Sequence, residues 1–305
     1  MIELEGISTN ETYVVAVSGG IDSMVLLDLL RKRLKPEQFA VAHYQHNVRP
    51  EEEMVEDLAV VESYCTTHDL NLHIGAYPGD SVSEAQLREA RYEFLHTVKS
   101  NLSYNKIITA HHKDDVAETA IINTLRGTGS AGLVALATHE ELVRPLINYT
   151  KVEIAEYAQE NDIRWSEDST NSDDRYLRNY VRNVIVPLME RDGSYAKLSE
   201  LIEEHRPVEA EIESELSDFL NANNLRYENG LGLFRDSFIQ LPHAVACRLM
   251  RLIFDEPGAN ITPSEDLVQK AVIFAKTAKH GSSMDLSKNA RLAITPDLVE
   301  LLIQD

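Results

Sequence analysis

Cysteine is almost absent from this chain, and long apolar runs are missing. The 305 residues contain two cysteines, Cys65 and Cys247, which lie far apart, so the sequence has neither the CxxC spacing of zinc and iron–sulfur sites nor a disulfide framework. No stretch approaches the roughly 18 apolar residues of a membrane span, and the first residues do not form a basic region followed by an apolar one. We therefore expect a cytoplasmic protein without membrane association.

Positive charge is also scarce. The chain has 29 lysines and arginines against 50 aspartates and glutamates, a formal net charge of −21. Such a chain repels polyanions as a whole, so contact with nucleic acid requires a local basic patch. The best patch is at residues 175–189, which contain no acid. Its arginines are Arg175, Arg178 and Arg182, with two tyrosines between them. The alternative is a solvated helix face that pairs with aspartates just upstream.

The first 126 residues alternate between strand-like and helix-like patterns. Helical apolar spacing follows each of four predicted strands, at residues 12–17, 38–44, 71–77 and 105–110. This alternation predicts an α/β, Rossmann-like domain, with a parallel sheet and helices on both faces. Ligands of such sheets bind beyond the carboxyl ends of the strands.

The sequence pattern changes near Gly193. A long acidic helical segment follows, and no further strand–helix alternation is evident. Because 305 residues exceed the roughly 100 to 200 residues of one domain, we expect two domains. They are an α/β domain at residues 1–192 and a smaller, mainly helical domain at residues 193–305.

A glycine-rich turn lies between the first predicted strand and the first predicted helix. Its sequence is Ser18-Gly19-Gly20-Ile21-Asp22-Ser23. The glycines let backbone N–H groups approach an anion, the helix N-terminus adds positive potential, and the serine hydroxyls can donate to phosphate oxygens. The string therefore predicts a phosphate site. The alternative is a tight turn in which Asp22 or Ser23 caps the helix.

The turn resembles the pyrophosphate-binding loop (PP-loop) of the ATP-pyrophosphatase superfamily. Members of that superfamily cleave ATP between the α and β phosphates and activate a substrate as its adenylate. A second motif, AHHKDDVAET at residues 110–119, closely resembles the AHHxDDxAET signature of tRNA(Ile)-lysidine synthetases. Further stretches agree with that family, at residues 89–95, 125–129, 144–146 and 168–182. A tRNA 2-thiolating relative would need cysteines that this chain lacks.

The resemblance implies an AMP-forming ligase. In it, residues 1–192 would be the ATP-binding catalytic domain, and residues 193–305 would help to recognise the tRNA substrate. ATP, with Mg²⁺, would adenylate carbon 2 of the wobble cytosine in tRNA(Ile) with a CAU anticodon. The amino group of free L-lysine would then displace AMP and give lysidine. The resemblance also implies a short form without the extra C-terminal domain of longer members, and a homodimer is compatible with it.

If the helix has already begun at His111, the spacing of the second motif places His111 and Asp115 on one helical face, with Glu118 one turn further. A carboxylate there can pair with an ammonium ion or hold a divalent metal, and Asp114 or Asp115 can also cap the helix. We expect His111 and Asp115 to position the ammonium of lysine and to assist its deprotonation, since only the neutral amine attacks.

Individual site residues follow from the motifs and from the resemblance. The predicted catalytic residues are His111, Asp115, Asp22 and Arg126. Those predicted to bind ATP are Ser18, Gly19, Gly20, Ile21, Asp22, Ser23, His46, Arg91 and Gly127. Those predicted to bind lysine or tRNA are Asp114, Glu118, Arg144, Asn171, Arg178 and Arg182. Gln45 stands where family members commonly have an aspartate, and an amide cannot hold a metal as a carboxylate does. The ligands of Mg²⁺ are therefore left open.

Two other functions remain open at this point. The net charge of −21 favours an adenylating ligase of the same superfamily that acts on a small molecule. The arginine patch and the second motif argue against it. A non-catalytic regulator that binds an adenine nucleotide is supported only by Gln45, and the acids of both motifs argue against it.

Overall fold

The computed structural model describes residues 2–46, 51–79, 84–136, 142–167, 177–227, 229–256, 258–259, 261 and 263–303. The chain divides into two compact units, Met1–Arg206 and Pro207–Asp305. The division therefore falls at Pro207, inside a helix, and not at Gly193, where the sequence analysis placed the domain boundary. Gly193 ends the preceding helix in a left-handed conformation, with φ of 76°. The sequence pattern thus marked a helix end, whereas the division between the units lies further along the chain.

The first unit contains a five-stranded parallel sheet, as predicted. Its strands are β1 (Tyr13–Ala16), β2 (Phe39–Gln45), β3 (Leu72–Ala76), β4 (Lys106–Ile108) and β5 (Leu142–Val143). The strand order is β3-β2-β1-β4-β5, and every neighbouring pair is parallel. The sequence analysis missed β5, because two residues are too short to show a pattern. Since the order reverses on either side of β1, a crevice is expected beyond the carboxyl ends of β1 and β4.

The helices of this unit connect its strands or, from residue 151 onward, follow its last strand. They are α1 (Ile21–Arg33), α2 (Glu51–Thr67), α3 (Glu84–Leu102), α4 (Lys113–Leu125), α5 (Gly129–Leu133), α6 (Lys151–Glu160), α7 (Leu177–Tyr180), a π-helical turn (Val181–Ile185), α8 (Val186–Asp192) and α9 (Ser194–Asn223), which continues into the second unit. Alternate residues of β1 belong to different cores: Val15 packs in the cluster that includes α1, α2 and α6, and Val14 packs with α3. Helices therefore cover both faces of the sheet, as the prediction requires.

The second unit also contains a sheet, which the sequence analysis did not predict. Its antiparallel strands, in the order β6-β7-β10-β9-β8, are β6 (Asn224–Tyr227), β7 (Gly230–Phe234), β8 (Ser283–Asp285), β9 (Ala290–Ile294) and β10 (Leu298–Ile303). Its helices are α10 (Arg235–Gln240), α11 (His243–Phe254) and α12 (Glu265–Thr277). Helical residues outnumber strand residues here, as expected. The strands escaped notice because the local pattern of β10 is ambiguous: its three leucines and a glutamate favour a helix, whereas Val299 and Ile303 favour a strand.

In the part of the chain that the structure describes, no helix is both long and apolar enough to cross a membrane.

Candidate active site

The predicted phosphate loop connects β1 to α1. Gly19 has φ of 99°, a conformation that L side chains rarely adopt, and Gly20 is the N-cap residue of α1. The hydroxyl oxygens of Ser18 and Ser23 lie 3.2 Å apart, and that of Ser23 donates to the carbonyl oxygen of Gly20 at 2.8 Å. A glycine N-cap has no side chain that could accept the first N–H groups of α1, which begins at Ile21. This helix start therefore suits an anion.

Two buried side chains support the loop from behind. The backbone N–H of Ser166 donates to the carbonyl oxygen of Gly19 at 3.0 Å, and the Ser166 hydroxyl donates to the carboxylate of Asp57. Asp57 and Ser166 are each only 5% exposed. A Cβ atom on Gly19 would lie 3.0 Å from the carbonyl oxygen of Asp57. Asp57 and Ser166 therefore hold the loop in its shape, and the sequence analysis identified neither.

A cavity of about 210 Å³ opens beyond the carboxyl ends of β1, β2 and β4. This is the edge of the sheet at which ligands were expected. Its lining includes six predicted site residues, Ser18, Asp22, Ser23, His46, Arg91 and His111, and eleven others, among them His43, Tyr44, Gln45 and Asp57. The Gln45 amide donates to the carbonyl oxygen of Met54 in α2 at 3.3 Å, so one end of this side chain is held by the protein itself.

His112 lies among three carboxylates at the start of α4. Its ring is buried, with Nε2 3.5 Å from Asp115 Oδ2 and 3.9 Å from Asp22 Oδ1, and with Nδ1 3.4 Å from Asp114 Oδ2. Burial lowers the pKa of His112, but the hydrogen bond with Asp114 and the charges of Asp115 and Asp22 outweigh burial and raise it above its ordinary value. The sequence analysis quoted His112 within the motif but gave it no role.

Asp114 and Asp115 also hold the backbone around this helix start. Asp115 Oδ2 accepts the N–H of His112 at 3.1 Å, which confirms its capping role. Asp114 accepts the N–H of Lys151 at 2.7 Å and the hydroxyl of Tyr195 at 2.9 Å. Burial raises the pKa of each carboxyl group. The hydrogen bonds of Asp114, and the charge of His112 beside Asp115, more than offset this and hold both pKa values below their ordinary range.

His111 faces the cavity, and its Nδ1 shares a hydrogen bond of 2.8 Å with the Thr109 hydroxyl. Burial lowers the pKa of His111, and the positive charges of Arg144 and Arg91 lower it further. The negative charge of Asp115 raises this pKa, but by less. The imidazole is therefore neutral at neutral pH, and it is a weak base. This favours hydrogen bonding and positioning over the deprotonation that the sequence analysis expected of it.

Three arginines lie around Tyr92, and one of them, Arg91, also lines the cavity. The Arg88 and Arg91 guanidinium groups lie 4.9 and 5.4 Å from the centroid of the Tyr92 ring, and Arg144 is 4% exposed. Burial lowers the pKa of Arg91 and that of Arg144, and the positive charge of Arg88 lowers both further. Tyr92 raises both pKa values, but by less. Each guanidinium keeps its charge all the same. Buried positive charge that is repelled by further positive charge suits an anionic ligand.

Arg178 and Arg182, from the predicted basic patch, point to α4. Arg178 Nε lies 3.1 Å and Arg182 Nε 2.6 Å from the carboxylate of Glu118, which is 1% exposed. Arg182 Nη2 also lies 3.3 Å from Asp115 Oδ1. These arginines therefore pair with acids of the second motif. The upstream aspartates of the alternative interpretation lie outside the described residues, so that alternative is not tested. Arg175 lies outside the described residues.

Lys151 contributes a cation that the sequence analysis did not identify. It is the first residue of α6, and its Nζ lies 2.6 Å from each carboxylate oxygen of Asp22. Asp22 is the second residue of α1 and lines the cavity. No local signal could have revealed this pair, because its members lie 129 positions apart.

The structure does not bring every predicted residue to the cavity. Arg126 caps the far end of α4 and is exposed, and Gly127 follows it with open space around the position of a Cβ atom. Since a helix rises 1.5 Å per residue, Arg126 lies about 16 Å along α4 from Asp115. We therefore assign neither Arg126 nor Gly127 a role in this site. Asn171 lies outside the described residues.

Carboxylates are the groups here that could hold a metal. Within the described ranges, no group of three or more His, Cys, Asp and Glu side chains is arranged for one. Mg²⁺ keeps several waters and commonly binds one or two carboxylates together with substrate phosphates. Asp22, beside the phosphate loop, fits such a shared site.

The sheet order, the loop and the cavity define a PP-loop protein, and the family model described as a PP-loop domain matches residues 2–189. Among solved structures, a U34-tRNA thiolase from Methanococcus maripaludis has a TM-score of 0.53, covering 67% of this chain and 74% of that chain. At 17% identity, this likeness shows the fold alone.

Curated relatives narrow the family further. The tRNA(Ile)-lysidine synthase of Chlorobaculum tepidum is 31% identical over 230 residues, covering 71% of this chain and 69% of the relative. That of Thermotoga sp. (strain RQ2) is 38% identical over 190 residues, covering 59% of this chain and 45% of the relative. The chain belongs to the tRNA(Ile)-lysidine synthase family, which confirms the predicted resemblance. It matches less than half the length of the Thermotoga protein.

Proposed function

We propose that this chain converts the wobble cytidine of tRNA(Ile) with a CAU anticodon to lysidine, using ATP and L-lysine. The observation that carries the proposal is that the phosphate loop, Arg91 and His111 line one cavity, while His112, the N-cap of α4, lies 3.9 Å from Asp22 of that lining. The family of the chain supports the substrates. Adenylation needs bound phosphates, and the second step needs carboxylates that attract an ammonium ion; this edge of the sheet supplies both.

In the first step, O2 of the cytosine attacks the α-phosphorus of ATP, and pyrophosphate leaves with the electrons of the broken P–O bond. The loop at residues 18–23 would hold the β and γ phosphates at the start of α1. Arg91 and Arg144 would offset the charge on the α-phosphate, and neutral His111 would hydrogen-bond the adenylate. Mg²⁺, shared by Asp22 and the phosphates, would supply further neutralisation of the leaving group.

In the second step, the lysine ammonium gives a proton to water, the neutral amine attacks carbon 2 of the cytosine, and the C–O bond breaks with its electron pair leaving on the phosphate of AMP. Asp115 and Glu118 are the carboxylates proposed to attract the lysine ammonium. Arg178 and Arg182 now occupy them, so lysine must take over part of their contacts. The released arginines would then be available to phosphates of the tRNA or the adenylate.

The setting of the reaction follows from its substrates. We place it in the cytoplasm, where tRNA, ATP and lysine meet. Recognition of tRNA by residues 193–305 and formation of a homodimer remain predictions.

The test is incorporation of labelled lysine into a tRNA(Ile) transcript with ATP. We expect label in the transcript with a wobble cytidine and none in one with a wobble uridine. Asp115→Ala should abolish labelling, whereas Asp266→Ala, which changes an exposed aspartate of the second unit, should leave it intact. Labelling that survives Asp115→Ala would contradict the assignment of Asp115.

The same assay separates the proposal from its rivals. A small-molecule ligase would release AMP and pyrophosphate from ATP whether or not tRNA is present. A regulator that only binds the nucleotide would release neither. Release that requires the cytidine transcript supports lysidine synthesis.

A further inference from the structure

We infer that Lys151 is a phosphate-binding residue of this site, whose ammonium passes from Asp22 to the pyrophosphate half of ATP. The inference rests on the proposed function, because it assumes cleavage between the α and β phosphates. It begins from one contact: Lys151 Nζ bridges both oxygens of Asp22, within the phosphate loop, at 2.6 Å.

The position of Lys151 is unfavourable for a purely structural lysine. Lys151 is the first residue of α6, after the N-cap Thr150, and the N-terminal end of a helix repels a cation. Its side chain is 47% exposed, and ion pairs this open to water contribute little to stability. Lys151 thus places a cation where the helix disfavours one, without a clear gain in stability, and this is typical of functional positions.

The backbone of Lys151 is fixed while its ammonium remains accessible. The N–H of Lys151 donates to Asp114 Oδ2 at 2.7 Å, and the neighbouring N–H of Lys113 donates to the carbonyl oxygen of Tyr149 at 2.8 Å. These bonds tie the start of α6 to the start of α4. The four-carbon stem can then carry the ammonium a short way without moving the helix.

The charges at the mouth of the site give this movement a direction. A carboxylate inside a phosphate loop repels the nucleotide, and Lys151 neutralises it while the site is empty. When ATP binds, its phosphate oxygens are stronger hydrogen-bond acceptors for the Lys151 ammonium than the partly exposed carboxylate of Asp22 is. Asp22 is then released to share a cation with the same phosphates. As the P–O bond breaks, Lys151 can donate to the departing pyrophosphate.

The experiment compares the binding of two products, inorganic pyrophosphate and AMP, by calorimetry at fixed Mg²⁺. For Lys151→Gln we expect pyrophosphate binding to weaken at least about tenfold, which is about 1.4 kcal/mol, with AMP binding changed less than about twofold. Lys151→Arg should keep most of the pyrophosphate affinity because it keeps the charge. Lys270→Gln, an exposed lysine of the second unit, is the matched control for net charge.

The inference is overturned if Lys151→Gln binds pyrophosphate as wild type does, or if AMP and pyrophosphate weaken equally, as a merely structural role predicts. Equal loss in the Gln and Arg variants would also contradict it, since the charge would then be irrelevant. Pyrophosphate binding that depends on Lys151, in a protein that forms no lysidine, would overturn the proposed substrate and leave this inference standing.

Discussion

Removal of one hydroxyl group behind the phosphate loop should weaken both the fold and ATP binding. In Ser166→Ala the buried carboxylate of Asp57 loses its Ser166 donor, while the N–H of residue 166 can still bind Gly19. A hydrogen bond to a charged group contributes about 1.5 to 3 kcal/mol, so the free energy of unfolding should fall by about 2 kcal/mol. For a unit of this size, that corresponds to a melting temperature lower by about 4 to 8 °C.

The assay can use Trp165, the single tryptophan of the chain, which packs against the core of the first unit. Its fluorescence during urea unfolding reports on that unit. The KM for ATP should rise in Ser166→Ala, because Gly19 loses part of its support, whereas the KM for lysine should not. Asp57→Ala and the double variant complete a double-mutant cycle. A single-variant effect under about 0.5 kcal/mol, or additivity in the cycle, would refute the reasoning.

Three further predictions concern the charged groups of the site. Glu118→Gln should lower the free energy of unfolding by about 2 kcal/mol or more, measured in urea, because Arg178 and Arg182 lose their buried carboxylate. The pKa of His112 is raised, since the surrounding aspartates outweigh burial, so its stabilising charge is fully present below about pH 6.5 and is lost as the pH rises through the raised pKa. The stability difference between wild type and His112→Gln should therefore shrink on that rise, and a difference that grows would contradict the assignment. Arg91→Met should weaken ATP binding at least about tenfold in calorimetry without lowering the melting temperature, because it removes a buried charge that its neighbours repel.

Much of the first unit could be predicted from local pattern. Four of the five strands of the parallel sheet were found, and three of these, β1, β2 and β4, are largely buried apolar runs between helical segments. The phosphate loop was found because its glycines and serines have a chemical purpose in that place. The antiparallel sheet of the second unit was not found, since β10 has helix-forming residues that become a strand only beside β7 and β9.

Within the site, the sequence identified groups but not their partners. His111, Asp115 and Glu118 were predicted from spacing along one helix. Asp115 and Glu118 lie in the first two turns of α4, whereas His111 precedes the N-cap residue His112 and is therefore not on the helix. The roles of Arg178 and Arg182 depended on what they face, and they face Glu118 rather than open solvent. Arg126 shows the opposite error, because its place in a motif suggested a role that the length of α4 does not support.

The sequence by itself determined what neighbours within a few residues decide: the alternation of strand and helix, the left-handed glycine of the loop, and the chemistry of the two motifs. Only the tertiary structure decided which distant groups meet. Lys151 reaches Asp22 across 129 positions, and Ser166 reaches Asp57 across 109. These pairs form because parallel strands bring the ends of several crossovers to one edge of the sheet, and no local pattern encodes which side chains meet there.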